Sequence, residues 1–332
     1  MSLDDRKAAI LRAVVREYIE TAQPVGSAHV SRSGLGVSPA TVRNEMALLE
    51  REGYLIQPHT SAGRVPTDKG YRFFVDQLTT PSALPPVQRQ QVREFFARAH
   101  GEIEQMLHAT SRLLSNLTDY AAVIVAPAPE GAVVRSVQLV GLTPHVVLGV
   151  AVLSNGSVEK RTLELADDVG DERVAAAGAH LAAHLCGRTL SGLADDIALT
   201  GDPATDDLVR RAQESFTPES EADQVFVGGA SRIIAAFDAV DTVRRVLGIL
   251  EQQYVVVGLL QEVLDRGLSV SIGTELGVES LAECAIVVAP YDVEGEPAGS
   301  IGVLGPTRMH YPEAMAAVAV VSQRLSRRLS ES

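Results

Sequence analysis

The sequence has no tryptophan, only seven phenylalanines and seven tyrosines, and two cysteines in 332 residues. Cys186 and Cys284 lie far apart with no CxxC or Cys/His cluster near either. A disulfide scaffold and a cysteine-based zinc site are therefore excluded, and both thiols are expected to be buried small apolar side chains of a reducing compartment. Long hydrophobic runs are also missing. Tyr254 to Leu260 and Ala282 to Pro290 fall well short of the ~20 residues a spanning helix requires. Met1 to Ile10 carries Asp4, Asp5, Arg6 and Lys7 where a signal peptide would need an apolar core, so a cytoplasmic protein with no membrane partner is expected.

The usual markers of catalysis are lacking as well. There is no Gly-x-Ser-x-Gly elbow and no phosphate-cradling loop ending in Lys-Ser/Thr. Gly299, Gly302 and Gly305 are spaced by threes, which fits neither dinucleotide nor triphosphate binding and is expected in turns and a strand. His180 and His184 stand one helical turn apart, but Leu181 occupies the place of a metalloprotease glutamate and no third ligand suggests itself. Asp202, Asp206 and Asp207 lack calcium-loop spacing and read as a solvated helix start. No enzymatic activity, cofactor or metal is expected. Gly305 to Met309 is the most unusual string of the body; Arg308 in it either tethers a loop to a carboxylate or lines a pocket or subunit contact.

Positive charge is scarce overall, with a net of -13, which at first sight argues against a nucleic-acid partner. Its distribution reverses that conclusion. Residues 1–80 hold ten Lys/Arg against nine Asp/Glu, leaving 19 against 33 for the rest. A near-neutral module with clustered arginines can face DNA while an acidic body stays off it.

Apolar residues at 46% and charged residues at 21% describe a globular protein of two or three domains. Pro81, Pro85 and Pro86 mark a semi-rigid hinge between Thr79 and Pro86. Beyond it Val92, Phe96, Ala99, Ile103, Met106, Thr110, Leu113 and Leu117 trace one apolar stripe, predicting a single helix of about eight turns. The β-branched runs 121–126, 135–142, 145–153 and 158–165 predict one antiparallel sheet, with Asn155-Gly156 as a hairpin turn. Helices are predicted over 171–200, 204–216 and 240–266, and strands at 225–229, 269–272, 284–289 and 299–304. Pro312 opens a final helix with Met315, Val318, Val321, Leu325 and Leu329 on one face. Strands on both sides of a helical middle suggest a sheet domain interrupted by an insertion.

In the first module, residues 5–20 form a helix with Ile10, Leu11, Val14, Val15, Tyr18 and Ile19 inward. Ser27 is expected to cap a second helix running to Arg32, and Ser33 to Gly36 turns the chain. Ser38-Pro39 then starts a third helix. Val42, Met46 and Leu49 give that helix its buried stripe, so Asn44 points away from the core with Ala40, Ala47 and Arg51 near it and Thr41 and Arg43 on the flanks. Asparagine pairs with adenine and arginine with guanine, so this face has major-groove chemistry. A ribbon over 54–66 follows, its tip Pro58 to Gly63 free of acids, and Thr67 caps a further helix. The candidate DNA-contacting residues are Ser38, Ala40, Thr41, Arg43, Asn44 and Arg51 on the helix start and face, and His59, Ser61, Arg64 and Lys69 around the ribbon.

The stretch YIETAQPVGS from Tyr18, and VSPATVRNEMALLEREGYLIQPHTSAGRVPTDKGYRFFVD ending at Asp76, resemble the start of the heat-inducible transcription repressor family HrcA. VSIGTELG (Val270 to Gly277) and GSIGVLGPTRMHY (Gly299 to Tyr311) resemble that family's signatures near its other end. The resemblance implies an α+β multidomain protein: an N-terminal winged helix-turn-helix at 1–78, a Pro-rich linker at 79–87, a GAF-like α/β domain with antiparallel sheet at 88–165 and 240–332, and an inserted, mostly helical dimerisation domain at 166–239. It also implies a homodimer on an inverted-repeat operator in double-stranded DNA upstream of chaperone operons, with repressor activity maintained by the GroEL-type chaperonin and lost on heat stress. The alternative is a winged-helix regulator whose GAF-like body senses a small-molecule effector.

Overall fold

A computed structural model describes residues 3–59, 62–78, 83–98, 103–126, 133–154, 158–189, 197–216, 225–237, 239–264, 267–293 and 295–331. Helix α1 (Asp5–Thr21) starts where Asp4 Oδ1 accepts the Lys7 N–H at 2.8 Å, and it buries Ile10, Leu11, Val14, Val15 and Ile19. Tyr18 is only half-buried. Helix α2 (Ser27–Ser31) has Gly26 at its N-cap, so Ser27 is the first helical residue and not the cap expected of it. Gly34 and Gly36, at φ +85° and +66°, then turn the chain in a conformation that favours glycine. Helix α3 (Pro39–Arg51) follows the Ser38 cap, with Val42, Met46 and Leu49 buried. Strands β1 (Leu55–Ile56) and β2 (Val65–Pro66) pair antiparallel, and a bridge from Arg64 to Val25 ties the ribbon to the segment before α2. Thr67 Oγ1 accepts the Gly70 N–H and caps α4 (Asp68–Asp76).

The hinge residues 79–82 lie outside the described residues. Of the eight-turn helix expected after them, the described residues hold α5 (Pro86–Arg98) and α6 (Ile103–Thr118), and residues 99–102 between these lie outside the described residues. On α6 the buried residues are Leu107, Thr110, Ser111, Leu114 and Ser115, a face turned from the predicted stripe because Ser111 and Ser115 pack closely where longer side chains would not fit. Its sheet partner approaches there: a Cβ on Gly228 would stand 2.7 Å from the Arg112 nitrogen.

The sheets divide differently from expectation. Strand β3 (Ala121–Val125) does not join the next three strands. It sits in a five-stranded antiparallel sheet with β7 (Val225–Gly228), β8 (Ser269–Ile272), β9 (Cys284–Val293) and β10 (Glu296–Pro306), in the order β7-β3-β10-β9-β8. Ala122 and Ile124 face α6 and the final helix α12 (Tyr311–Ser330), whereas Ala121, Val123 and Val125 face α9 (Ala230–Ala236), α10 (Val240–Glu251) and α11 (Gln253–Leu264). The single helix expected over 240–266 is thus broken at Gln252. Along α12, Met315, Val318, Val321, Leu325 and Leu329 are buried, as its periodicity predicts.

Strands β4 (Val134–Thr143), β5 (Val146–Leu153) and β6 (Val158–Glu164) form a separate three-stranded sheet covered on one face by α7 (Asp171–Leu185) and α8 (Pro203–Phe216). Val137, Val147, Leu153, Leu163, Leu181, Leu208 and Phe216 make a core of their own. The division expected at residue 165 therefore does not follow the packing: the separate unit runs from β4 to α8, and β7 belongs to the larger sheet. Alternation along a strand reports which face is buried and carries no information about which sheet supplies the neighbour. The helix expected over 171–200 ends at Leu185, and the turn at Asn155-Gly156 lies outside the described residues, although Val152 and Val158 pair across it. Because the unit's core is independent, Phe216→Ala should cost about 3–5 kcal/mol there; hydrogen exchange should speed up in β4–β6 and stay unchanged in β9 and β10.

Candidate nucleic-acid interface

Helix α3 presents two distinct flanks and one free face. The two carboxylates of the helix and that of its C-cap residue are drawn aside: Glu45 faces Arg6 at 3.9 Å, Glu50 pairs with Arg64 at 3.0 Å, and Glu52 accepts from Lys7 Nζ at 2.9 Å. The hydrogen bond to Glu52 raises the Lys7 pKa. Between these flanks Ala40, Arg43, Asn44 and Arg51 are exposed, and among the described residues Arg43, Asn44 and Arg51 have no ion-pair or hydrogen-bond partner. Ser38, also exposed, and half-buried Thr41 hold each other at the helix start, Oγ to Oγ1 2.9 Å, while the Thr41 N–H donates to Ser38 Oγ at 3.1 Å. The free face is thus cationic and amide-bearing, with a small alanine at its N-terminal end. Carboxylates that would repel phosphate are neutralised beside it.

The ribbon distributes the remaining candidates unequally. His59 is exposed at the tip, and Ser61 lies outside the described residues. Arg64 departs from expectation. Its Nε and Nη2 both reach Glu50 Oε2, at 3.1 and 3.0 Å, and its side chain is 16% exposed. It ties the ribbon to α3 and does not extend toward a phosphate. Lys69 donates to the Glu52 carbonyl at 2.8 Å and lies 4.3 Å over the Tyr54 ring, so it closes the C-terminal end of α3.

Other sequence candidates resolve into local structure. His180 Nε2 lies 2.6 Å from the Ala198 carbonyl and His184 Nδ1 lies 2.9 Å from the His180 carbonyl. Among the described residues no group of three His, Cys, Asp or Glu gathers as metal ligands do. Asp202 accepts the Thr205 hydroxyl at 2.6 Å and the Thr205 N–H at 3.1 Å at the start of α8, which hold its carboxyl below the usual range. Cys284 is buried, its thiol pushed up to about 12 by desolvation, but Cys186 is exposed beyond the end of α7, against expectation. Gly299, Gly302 and Gly305 all lie in β10. Arg308 Nη2 donates to the Ala236 carbonyl at 3.1 Å, a main-chain tether.

Sequence reading missed the joint between this module and the body. Asp68 Oδ2 accepts from the Thr274 N–H at 3.0 Å and its hydroxyl at 3.1 Å. Arg72 donates from Nε to Glu275 Oε1 at 2.8 Å and from Nη2 to the Val270 carbonyl at 2.6 Å. The signal was present as two quoted strings, TDKGYRFF and VSIGTELG, but nothing in either string indicates that they meet.

A family model described as HrcA protein C terminal domain matches residues 104–315. The heat-inducible transcription repressor HrcA of Rhodococcus jostii (strain RHA1) is 39% identical over 345 residues, covering 99% of both chains. That of Beutenbergia cavernae is 40% identical with 98% of this chain and 99% of the other covered, and that of Moorella thermoacetica 38% identical with 100% and 99%. A crystal structure of a hypothetical protein at 2.2 Å resolution matches with a TM-score of 0.69 at 25% identity, covering 99% of this chain and 98% of that one.

The Arg64–Glu50 pair generates a measurable expectation. In a denaturation double-mutant cycle, Arg64→Ala and Glu50→Ala should each destabilise the module, and the double variant should cost less than their sum by about 1 kcal/mol. Strict additivity would show that the two side chains act separately.

Proposed function

Since the chain belongs to the HrcA family, with 38–40% identity to full-length relatives, we propose that it is a heat-inducible transcriptional repressor that binds DNA and catalyses nothing. In this reading α1 to β2 is a winged helix-turn-helix, α3 its recognition helix and the ribbon its wing. The observation that carries it is the outer face of α3, where Arg43 and Asn44 are free while Glu45, Glu50 and Glu52 are paired away from it. A helix inserted in a major groove needs this arrangement: donors and acceptors at the base edges and no uncompensated acid near phosphate. Ser38 and Thr41 at the helix N-terminus and Arg51 lie where backbone phosphates flank the groove, with His59 along the adjoining strand.

The five-stranded sheet with helices on both faces serves as the GAF-like body, and the β4–α8 unit as the dimerising insertion. Supporting this, the face of its sheet opposite α7 and α8 carries half-buried Val146, Leu148, Val150 and Val152, with exposed Val140 and Leu142 beside them. An aliphatic sheet face of this kind fits a second copy of itself, and a twofold pair matches an inverted-repeat operator. Loss of the active fold on heating, countered by a GroEL-type chaperonin, would release chaperone operons; the relatives' names support the heat response, and marginal stability is its physical requirement. An effector-sensing reading is favoured by one feature, a cleft of about 410 Å³ between α1, α4 and the start of α12, lined by Arg12, Arg16, Phe74, Leu78 and His310. A metabolite that raises the melting temperature of wild-type protein but not of Arg16→Ala would support it.

Two measurements test the main reading. Arg43→Ala and Asn44→Ala should each lose about 1–3 kcal/mol of discrimination between an inverted-repeat chaperone promoter and scrambled duplex in gel shifts with and without chaperonin; unchanged discrimination in both variants removes α3 from the groove. Leu148→Asp should shift the solution mass from dimer to monomer by light scattering and weaken operator binding, whereas a dimer of unchanged stability would place the interface elsewhere.

A further inference from the structure

Helix α4 is shared between two bodies. One side belongs to the DNA-binding module: Lys69 caps α3, the Tyr54 and Phe73 rings meet edge to face at 5.9 Å, and Gly70 packs so tightly on the Tyr54 carbonyl that a side chain there would collide with it. The other side belongs to the body. Tyr71, buried, has its ring 6.2 Å from that of Tyr311 at the start of α12. Asp68 and Arg72, one turn apart, grip residues 270–275 with opposite polarity: an acid receives two donors from Thr274, and a guanidinium takes both oxygens of Glu275 and the Val270 carbonyl. Glu275 is itself oriented by the Ile272 N–H, 2.9 Å from its Oε2. Gly273, at φ +55°, leaves the space that the Asp68 carboxylate fills.

One polar contact would let α4 pivot. Two contacts a turn apart, with the Tyr71–Tyr311 packing as a third point off their line, fix a rigid body in all rotations. The covalent connection, by contrast, is the proline-rich stretch 79–86. A symmetric dimer places its recognition helices about 34 Å apart to meet half-sites one turn apart, so the angle between module and body decides whether both reach the DNA together.

Resting on the DNA-binding dimer reading above, we propose that Asp68 and Arg72 are positioning residues: they clamp the module to the 270–275 segment, set the relative orientation of the two recognition helices, and so make operator affinity depend on a folded body. The module's own base contacts are untouched by them. Loosening the clamp therefore reduces the advantage of two linked half-sites over one while leaving each half-site contact intact.

The test uses full-length wild type, R72E, E275R, R72E/E275R and D68N. Affinity is measured at fixed salt for a duplex with the complete inverted repeat and for one with a single half-site, and the melting temperature of each variant is recorded. R72E is expected to lower affinity for the complete repeat by roughly tenfold and to leave single half-site affinity nearly unchanged, with R72E/E275R recovering most of the loss. D68N, which keeps shape while removing the charge, should act in the same direction more weakly even if R72E folds poorly. Equal losses on both duplexes that track the melting temperature, or no recovery in the reversed pair, would overturn the proposal. Wild type that prefers neither duplex over scrambled DNA would instead overturn the DNA-binding reading itself, and this one with it.

Discussion

The pairing of β3 with β10, from Ala121 opposite Leu304 to Val125 opposite Ser300, is the constraint on which the architecture depends. It joins segments about 180 residues apart and places β3 inside the sheet, between β10 and β7. The chain leaves the sheet after β3 and returns at β7, the adjacent strand. Neighbouring strands lie about 4.8 Å apart, so the excursion between them starts and ends close together. A unit with its own core, β4 to α8, is accommodated there without disturbing the host. Long-range closure of this sort is entropically expensive and is offset by burial on both sheet faces, where the β3 side chains are almost entirely removed from solvent.

A second organising feature is the disposal of negative charge. The chain is strongly acidic, yet the two carboxylates of α3 and the one at its C-cap are each paired with a cation from α1 or the ribbon. Arg6, Lys7 and Arg64 therefore act by neutralising and bracing α3, and the positive character left over on its outer face comes from Arg43 and Arg51. Partly exposed pairs of this kind contribute about 1 kcal/mol or less each to stability; they also remove negative charge from the surroundings of that outer face.

Local patterns were legible. The Ser38-Pro39 start of α3, its buried stripe and the outward position of Asn44 follow from a 100° rotation per residue, and the structure has them as read. The buried face of α12 and the Thr67 cap are of the same kind. Where sequence reading erred, two apolar partners competed for one segment. On α6, serines approach the sheet more closely than leucines can, and the stripe of largest side chains is not the face most deeply buried. Cys186 looked like a core residue by type, but the helix that would have carried it inward stops one position earlier.

The amino-acid order alone determined α1, α3, α4 and α12, the Ser38 and Thr67 caps, the outward face of α3 and the family to which the chain is similar, because all of these depend on contacts within about ten residues or on matched strings. Three-dimensional packing decided which strands share a sheet, that Arg64 braces α3 through Glu50, and that Asp68 and Arg72 meet Thr274 and Glu275 some 200 positions away. Alternation and charge specify what a side chain requires, a buried face or an opposite ion, and many segments can satisfy either; only the folded chain selects one by bringing it within hydrogen-bonding distance.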